Sequence, residues 1–294
     1  MPILSAFPIT PSNADGQVDL GALQALLQPL AAAGVGSIGL LGSTGTYAFL
    51  ARHQRRRAVE AAVAAVAGRA PILVGVGALR TDEAVRMAQD AKGAGAEAGL
   101  LAAMSYTPLT EDEVFVHCET VARESGLPLC LYDNPGTTHF RFTPALVGRL
   151  ARVPGIVAIK SPSPEPGGAA EHLDALRAVV PAGFSLGYSG DWNALAALLA
   201  GGEAWYSVFA GLFPQPALAI VRAVEAGDAA EAQRLNARLE PLWGLFRTYS
   251  SLRVIYACAD LLGLCRTVPP RPILPLAGEA RRQVADTLAA LELG

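Results

Sequence analysis

Short apolar runs alternate with amphipathic stretches eight times within residues 1–213, and this recurrence restricts the fold more than any other feature of the chain. The runs are Ile3 to Ile9, Ser37 to Gly42, Pro71 to Val76, Gly99 to Ala103, Pro128 to Tyr132, a sixth from Gly155 to Lys160, Phe184 to Tyr188, and Ala204 to Val208. They are continuously apolar, as strands buried on both faces of a parallel sheet must be. Helical stretches lie between them: Asp19 (as N-cap) to Ala33, Arg52 to Ala67, Thr81 (as cap) to Lys92, Glu111 to Arg123, Pro144 to Leu150, Gly168 to Val179, and Asp191 to Ala200. This alternation predicts an α/β fold, a closed (β/α)8 TIM barrel over residues 1–213. A doubly wound open sheet is the competing arrangement. No GxGxxG follows the first strand to support it, and Gly75-Val76-Gly77 is only a fragment of that pattern. Beyond Pro214 the strand signals stop. Helices near Pro216 to Ala226, Ala229 to Leu264 (broken around Tyr249-Ser250) and Glu279 to Leu291 predict a C-terminal helical extension, residues 214–294, packed on the barrel.

The sixth run ends in a lysine, Gly155-Ile156-Val157-Ala158-Ile159-Lys160, and that residue type is scarce here. Of 23 Lys plus Arg only Lys92 and Lys160 are lysines, so a generic positive charge would have been arginine. An amine can lose its proton, which a guanidinium cannot. In water roughly one lysine in two thousand is neutral at pH 7. Desolvation in an apolar barrel mouth raises that fraction, and a neutral amine there attacks carbonyls to form a Schiff base. The same local pattern also fits a lysine that merely snorkels to the rim of the fold.

Composition narrows the classes of partner. Hydrophobic residues make up 52% and charged residues 17%, which describes a compact globular chain. A net charge of -3 and a pI near 5.8 give no basis for a nucleic-acid or anionic-membrane partner. Cys118, Cys130, Cys258 and Cys265 form no CxxC pair and read as structural thiols of a reducing compartment. The start, Met1-Pro2-Ile3-Leu4-Ser5, has no basic n-region, and the most apolar stretch, Ala61 to Leu79, is broken by Gly68-Arg69 and Pro71. The expectation is a soluble cytoplasmic protein.

Barrels of this kind carry their chemistry at the C-terminal ends of the strands. Those ends read Gly42-Ser43-Thr44-Gly45, Tyr106, Tyr132, Lys160 and Ser189-Gly190-Asp191: hydroxyls around one amine, with Asp133 and Asp191 as the carboxylate candidates. His139 stands alone as a loop histidine, so metal ligation is not expected.

Gly42-Ser43-Thr44-Gly45, Tyr132-Asp133-Asn134-Pro135 and Ala158-Ile159-Lys160 resemble, in order and spacing, the dihydrodipicolinate synthase/N-acetylneuraminate lyase family of class I aldolases. The resemblance spans essentially the whole chain. It implies a lyase in which Lys160 forms the Schiff base with pyruvate or another 2-keto acid, with no cofactor beyond that covalent link. It further implies proton transfer by Tyr132, and a carboxylate held by Ser43, Thr44 and Gly45 through hydroxyls and backbone amides. Thr44 also belongs to the hydroxyl relay. Tyr106 is the matching residue that reaches a neighbouring subunit's site, which implies a homo-oligomer, dimer or tetramer. The turn amides would sit at a helix N-terminus, whose dipole favours an anion.

Two departures bear on the second substrate. The family's second-strand motif continues Gly-Glu, whereas this chain has Gly45-Thr46. Dihydrodipicolinate synthases carry an arginine after the strand-five tyrosine that holds the second substrate's carboxylate; here Thr137 stands in that position and Arg141 lies four residues on. Tyr206 and Trp192 add bulk near the pocket. The sequence therefore points to an aldehyde or sugar acid as partner of the keto acid, by aldol addition, cleavage or dehydration. A non-catalytic barrel that binds a keto acid or sugar acid is the alternative. A phosphate-ester enzyme is a third reading, but Ser189-Gly190-Asp191 and Phe209-Ala210-Gly211 lack paired glycine-rich phosphate turns.

Overall fold

The structure, a computed structural model, describes residues 3–293. Met1 and Pro2, where the N-terminal reading began, and Gly294 lie outside the described residues. Among the described residues eight parallel strands close in chain order, each paired with the next and the last with the first. In sequence they and their helices are β1 (Ile3–Ala6), α1 (Leu20–Ala33), β2 (Ser37–Leu40), α2 (Arg52–Val66), β3 (Ile72–Gly75), α3 (Thr81–Gly93), β4 (Ala98–Ala102), α4 (Glu111–Ser125), β5 (Leu129–Tyr132), α5 (Pro135–Thr138) and α6 (Pro144–Leu150). Then come β6 (Ile156–Pro162), α7 (Ala169–Arg177), β7 (Ser185–Ser189), α8 (Asp191–Leu199) and β8 (Ala204–Ser207). Five helices follow: α9 (Pro214–Glu225), α10 (Ala229–Arg238), α11 (Glu240–Tyr249), α12 (Ser251–Leu261) and α13 (Gly278–Leu291).

Local chemistry explains most boundaries. Asp19 caps α1 by accepting from the Ala22 amide, 2.9 Å away, and Gly34 ends that helix in the left-handed region at φ 76°. Thr110 and Glu113 form a reciprocal capping box at the start of α4. Four expectations need correction. β1 stops at Ala6, not Ile9, because Pro8 has no N–H for the ladder. Thr81 is the first residue of α3 and not its cap; the extended residue before the helix is Arg80, and the Thr81 hydroxyl pairs with His117 Nδ1 at 2.9 Å. The helical stretch after Ala229 breaks at Leu239 as well as at Ser250, and α9 begins at Pro214, since proline suits the first helical position.

Two cores result. A large one lies between the barrel wall and the helices, and a smaller one fills the barrel with Phe7, Leu73, Leu100, Ala102, Cys130, Tyr132, Ala158, Ala204 and Tyr206. The interior holds large rings only because neighbouring strands carry glycine there. A Cβ on Gly39 would lie 2.2 Å from Phe7 Cζ, and one on Gly187 would lie 2.4 Å from Tyr206 Cε2.

The helices after β8 are tied to the start of the chain. Trp243 packs edge-on to Phe209 with centroids 5.2 Å apart, a contact of about 0.5–1.5 kcal/mol beyond area burial. Thr267 Oγ1 accepts from the Ser12 amide and donates to the Ser12 carbonyl, both at 3.0 Å and across 255 residues of sequence. Ser250, at φ 73°, takes the strained break between α11 and α12 that brings α12's first turn over the barrel mouth.

Candidate active site

Lys160 is 3% exposed, and its side chain rises inside the barrel mouth from β6. In register it sits beside Tyr132 of β5 and Gly187 of β7, so the strand pairing itself sets amine beside phenol. Burial drives its pKa down from 10.5 to about 7; Cys130 and Asp191 pull weakly the other way. About half of the amines are therefore neutral at pH 7, against a few in ten thousand for a solvated lysine.

Tyr132 completes the local network. Its oxygen accepts from Asn134 Nδ2 at 3.0 Å and from Ser43 Oγ at 3.4 Å, and Asn134 Nδ2 also reaches Ser43 Oγ at 3.3 Å. With both contacts made as acceptor, the phenol keeps its own proton to give. Burial raises its pKa, the Ser43 hydrogen bond lowers it and Asp133 raises it, so the phenol is protonated at neutral pH. Asn134 lay within a quoted motif, but its function as a second donor to the phenol was not legible there.

Thr44, 6% exposed, and Ser43 face the same cavity from the turn after β2. The turn is closed by the Thr46 amide on the Ser43 carbonyl at 3.0 Å, and the amides of Thr44 and Gly45 meet no backbone carbonyl among the described residues. A side chain at Gly45 would be pressed to 3.0 Å from both Leu41 Cα and Thr10 Oγ1. The expected helix N-terminus at this turn is corrected to a single 3-10 turn, Tyr47–Phe49; α2 begins only at Arg52. Any anion here is held by individual amides and hydroxyls, with little help from a helix dipole.

The cavity above Lys160 has a volume of about 400 Å³. Thr137 lines its rim from α5, a one-turn element, and Tyr206 lines its floor from β8. Ser163, Ser189, Trp192, Ser251 and Leu252 complete the wall, the last two coming from α12. Lys160 is the single cationic side chain on that wall among the described residues. Arg141 is exposed, and its charge is felt by Asp133 and His172, away from the cavity. Asp191 reaches the wall but is committed to structure. One oxygen takes Trp205 Nε1 at 2.9 Å and the other the Phe209 amide at 3.0 Å, which locks α8 to the end of β8. Tyr106 does not join the site within this chain; it is 96% exposed on the segment between β4 and α4. His139 is exposed, and no three His, Cys, Asp or Glu side chains gather as a metal site among the described residues. A second cavity, about 420 Å³ between the turn after β1 and α12, contains Arg266, Arg281 and Asp260 and no comparable nucleophile.

A buried amine poised at neutral pH, at the catalytic end of a closed (β/α)8 barrel, marks a class I aldolase-type lyase, which works through an imine. The chain belongs to the dihydrodipicolinate synthetase family, whose model matches residues 3–291. It is 37% identical over 281 residues to a 4-hydroxy-tetrahydrodipicolinate synthase of Methylococcus capsulatus, covering 95% of this chain and 94% of the relative. Its fold superimposes on a crystal structure of dihydrodipicolinate synthase from Agrobacterium tumefaciens with TM-score 0.96 and 52% identity, over 99% and 98% of the two chains. A dihydrodipicolinate synthase of Acinetobacter baumannii determined with pyruvate matches with TM-score 0.91 and 27% identity, over 100% and 99%. Enzymes of this family join pyruvate to a lysine as a Schiff base and use no external cofactor. No helix among the described residues is long and apolar enough to cross a membrane.

Proposed function

We propose that the protein is a pyruvate-type 2-keto acid aldolase or lyase whose electrophile is an aldehyde without a carboxylate of its own, the adduct (or, in reverse, the substrate) being a sugar acid whose one carboxylate comes from the keto acid. The supporting observation is the cavity wall: Thr137 stands on the rim where a guanidinium would be needed, and hydroxyls with Trp192 make up the remainder. A second carboxylate brought into this space would find no partner, and a buried unpaired charge is unfavourable by several kcal/mol, on the order of 2–5.

The roles follow from the geometry. Amides and hydroxyls of Ser43, Thr44 and Gly45 receive the keto acid's carboxylate, which turns its C2 toward Lys160. The neutral Nζ attacks C2, and the carbonyl oxygen takes up protons and leaves as water. Tyr132, held by Ser43 and Asn134, supplies one of those protons. The Tyr132 phenolate left by that donation takes a C3 proton from the resulting iminium, which gives the enamine and restores the phenol. That carbon adds to the electrophile's carbonyl, and water releases the product and restores the amine. Run backwards, the same steps cleave a hydroxylated keto acid. We further read residues 214–294 as a cap on the barrel, Tyr106 as an element of a homo-oligomer interface, and the four free, buried cysteines as suited to the cytoplasm.

Turnover of pyruvate with a neutral hydroxyaldehyde, compared with an aldehyde bearing its own carboxylate, tests this reading. The expected kcat/KM ratio favours the neutral aldehyde by at least about tenfold. A preference of that size for the carboxylated aldehyde overturns it.

A further inference from the structure

Lys160 has no carboxylate partner within ion-pair distance among the described residues, yet its chemistry passes through cations. Aromatic faces surround it instead. Nζ lies 3.7 Å from the centroid of Phe7, 4.5 Å from that of Tyr132 and 5.6 Å from that of Tyr206. Phe7 and Tyr206 brace each other edge to face at 5.9 Å. Each ring has its place reserved by a glycine on an adjoining strand, Gly39 for Phe7 and Gly187 for Tyr206. Phe7 is fixed from behind by its amide, which donates to the Ser207 carbonyl at 2.8 Å.

We propose that Phe7 and Tyr206, together with the ring of Tyr132, form an aromatic box that stabilises the cationic states of Lys160, the ammonium before reaction and the iminium after it. Burial alone would favour a neutral amine and disfavour every cation that follows. When Nζ attacks a keto acid, the new N=C bond retains one positive charge as the oxygen departs in water. Ring faces attract that charge by their quadrupole while leaving the neutral nucleophile free, which a carboxylate at hydrogen-bond distance would not. The box thus lets one apolar pocket hold both a free amine and a cationic intermediate. This inference uses the family's imine chemistry and is independent of the electrophile assigned above.

The other titratable groups facing the amine are few. β5 presents Cys130 and Tyr132, β8 presents Tyr206, whose hydroxyl lies 3.6 Å from Cys130 Sγ, and α8 presents Asp191, already bonded twice. β3 and β4 contribute the apolar Leu73, Leu100 and Ala102 to this interior, with Ala98 packed against them.

The test exploits the chain's two lysines. Protein carrying lysine labelled with 13C at Cε gives one NMR signal for Lys160, followed against pH, and one for the exposed Lys92, which serves as reference. Phe7 is replaced in turn by phenylalanine with one, two and three ring fluorines, which weaken the face of the ring while nearly preserving its shape. The Lys160 midpoint is expected to fall step by step, by about half to one pH unit over the series, while Lys92 stays fixed. Pyruvate trapped with borohydride at pH 8.5, above the Lys160 midpoint, is expected to decline in the same order, about three- to tenfold at subsaturating pyruvate. Phe7→Leu should match or exceed the trifluorinated variant. A Lys160 midpoint that stays within about 0.2 pH unit across the fluorinated series, or rises with fluorine number, overturns the proposal. Failure of pyruvate to label Lys160 in the unsubstituted protein strikes the imine assignment itself, and the midpoints still decide the box.

Discussion

Replacing Lys160 by methionine should make the protein more stable, and by an amount that depends on pH in one direction only. The amine titrates near 7 in the folded chain and, like any solvated lysine, near 10.5 in the unfolded one. Because the folded value is the lower of the two, the unfolded state binds more protons between those values, so wild-type stability rises with pH across that window. Below pH 7 both states are protonated, and the full penalty of burying the ammonium is present. Above 10.5 both are neutral, and it is gone. The distance from about 7 to 10.5, at 1.36 kcal/mol per pH unit, corresponds to on the order of 5 kcal/mol. Methionine has nearly the same length, fills the same volume and carries no charge. Lys160→Met should therefore exceed wild type by several kcal/mol at pH 6.5, with the gap narrowing steadily toward pH 9.5. Paired urea titrations of both proteins at four pH values in that range measure it, and the difference cancels every other titrating group. A variant no more stable than wild type at pH 6.5, or a gap that widens as pH rises, would refute a buried, destabilised amine.

Two further outcomes test the site and the assembly. On the roles proposed above, Tyr132→Phe keeps Lys160 and removes a proton donor, so borohydride trapping should fall only modestly while turnover drops about 10²–10⁴-fold, read by single-turnover and steady-state kinetics on one preparation. Tyr106→Ala should leave the folded chain's melting behaviour near wild type but shift sedimentation toward smaller species and lower activity on dilution; an unchanged sedimentation profile with unchanged activity removes Tyr106 from any shared site.

The barrel was legible because strands buried on both faces leave an unbroken apolar signature that turns and helices punctuate. Boundaries slipped where local detail decides: the missing N–H of Pro8, or the extended Arg80 that stands before α3 where Thr81 was expected as cap. The site residues that end strands, Lys160 and Tyr132, could be placed from their strand positions, and Ser43 and Thr44 from the turn that follows β2. Phe7 could not, since its place beside the amine depends on how the strands stack inside the closed barrel; its traces in the sequence are Gly39 and Gly42, where a Cβ would meet the Phe7 ring. Asp191 misled for the opposite reason. A carboxylate at a strand end suggests chemistry, and only the structure reveals that Trp205 and the Phe209 amide consume it. The helical extension was read as a cap from its lack of strands, but nothing local marked Ser251 and Leu252 as cavity wall.

The bonds between Thr267 and Ser12 join positions 255 residues apart. Synthesis proceeds from the N-terminus, so Lys160 and its aromatic surroundings emerge from the ribosome well before Ser251 and Leu252, which line the same cavity. Until residues 250–252 emerge, a nascent barrel lacks that part of the wall around Lys160, and until Thr267 follows, the turn at Ser12 lacks its partner. Completion of the active site is thus one of the last events in the life of the growing chain, and chains truncated after residue 250 would carry all the strand-borne chemistry without the wall that shelters it.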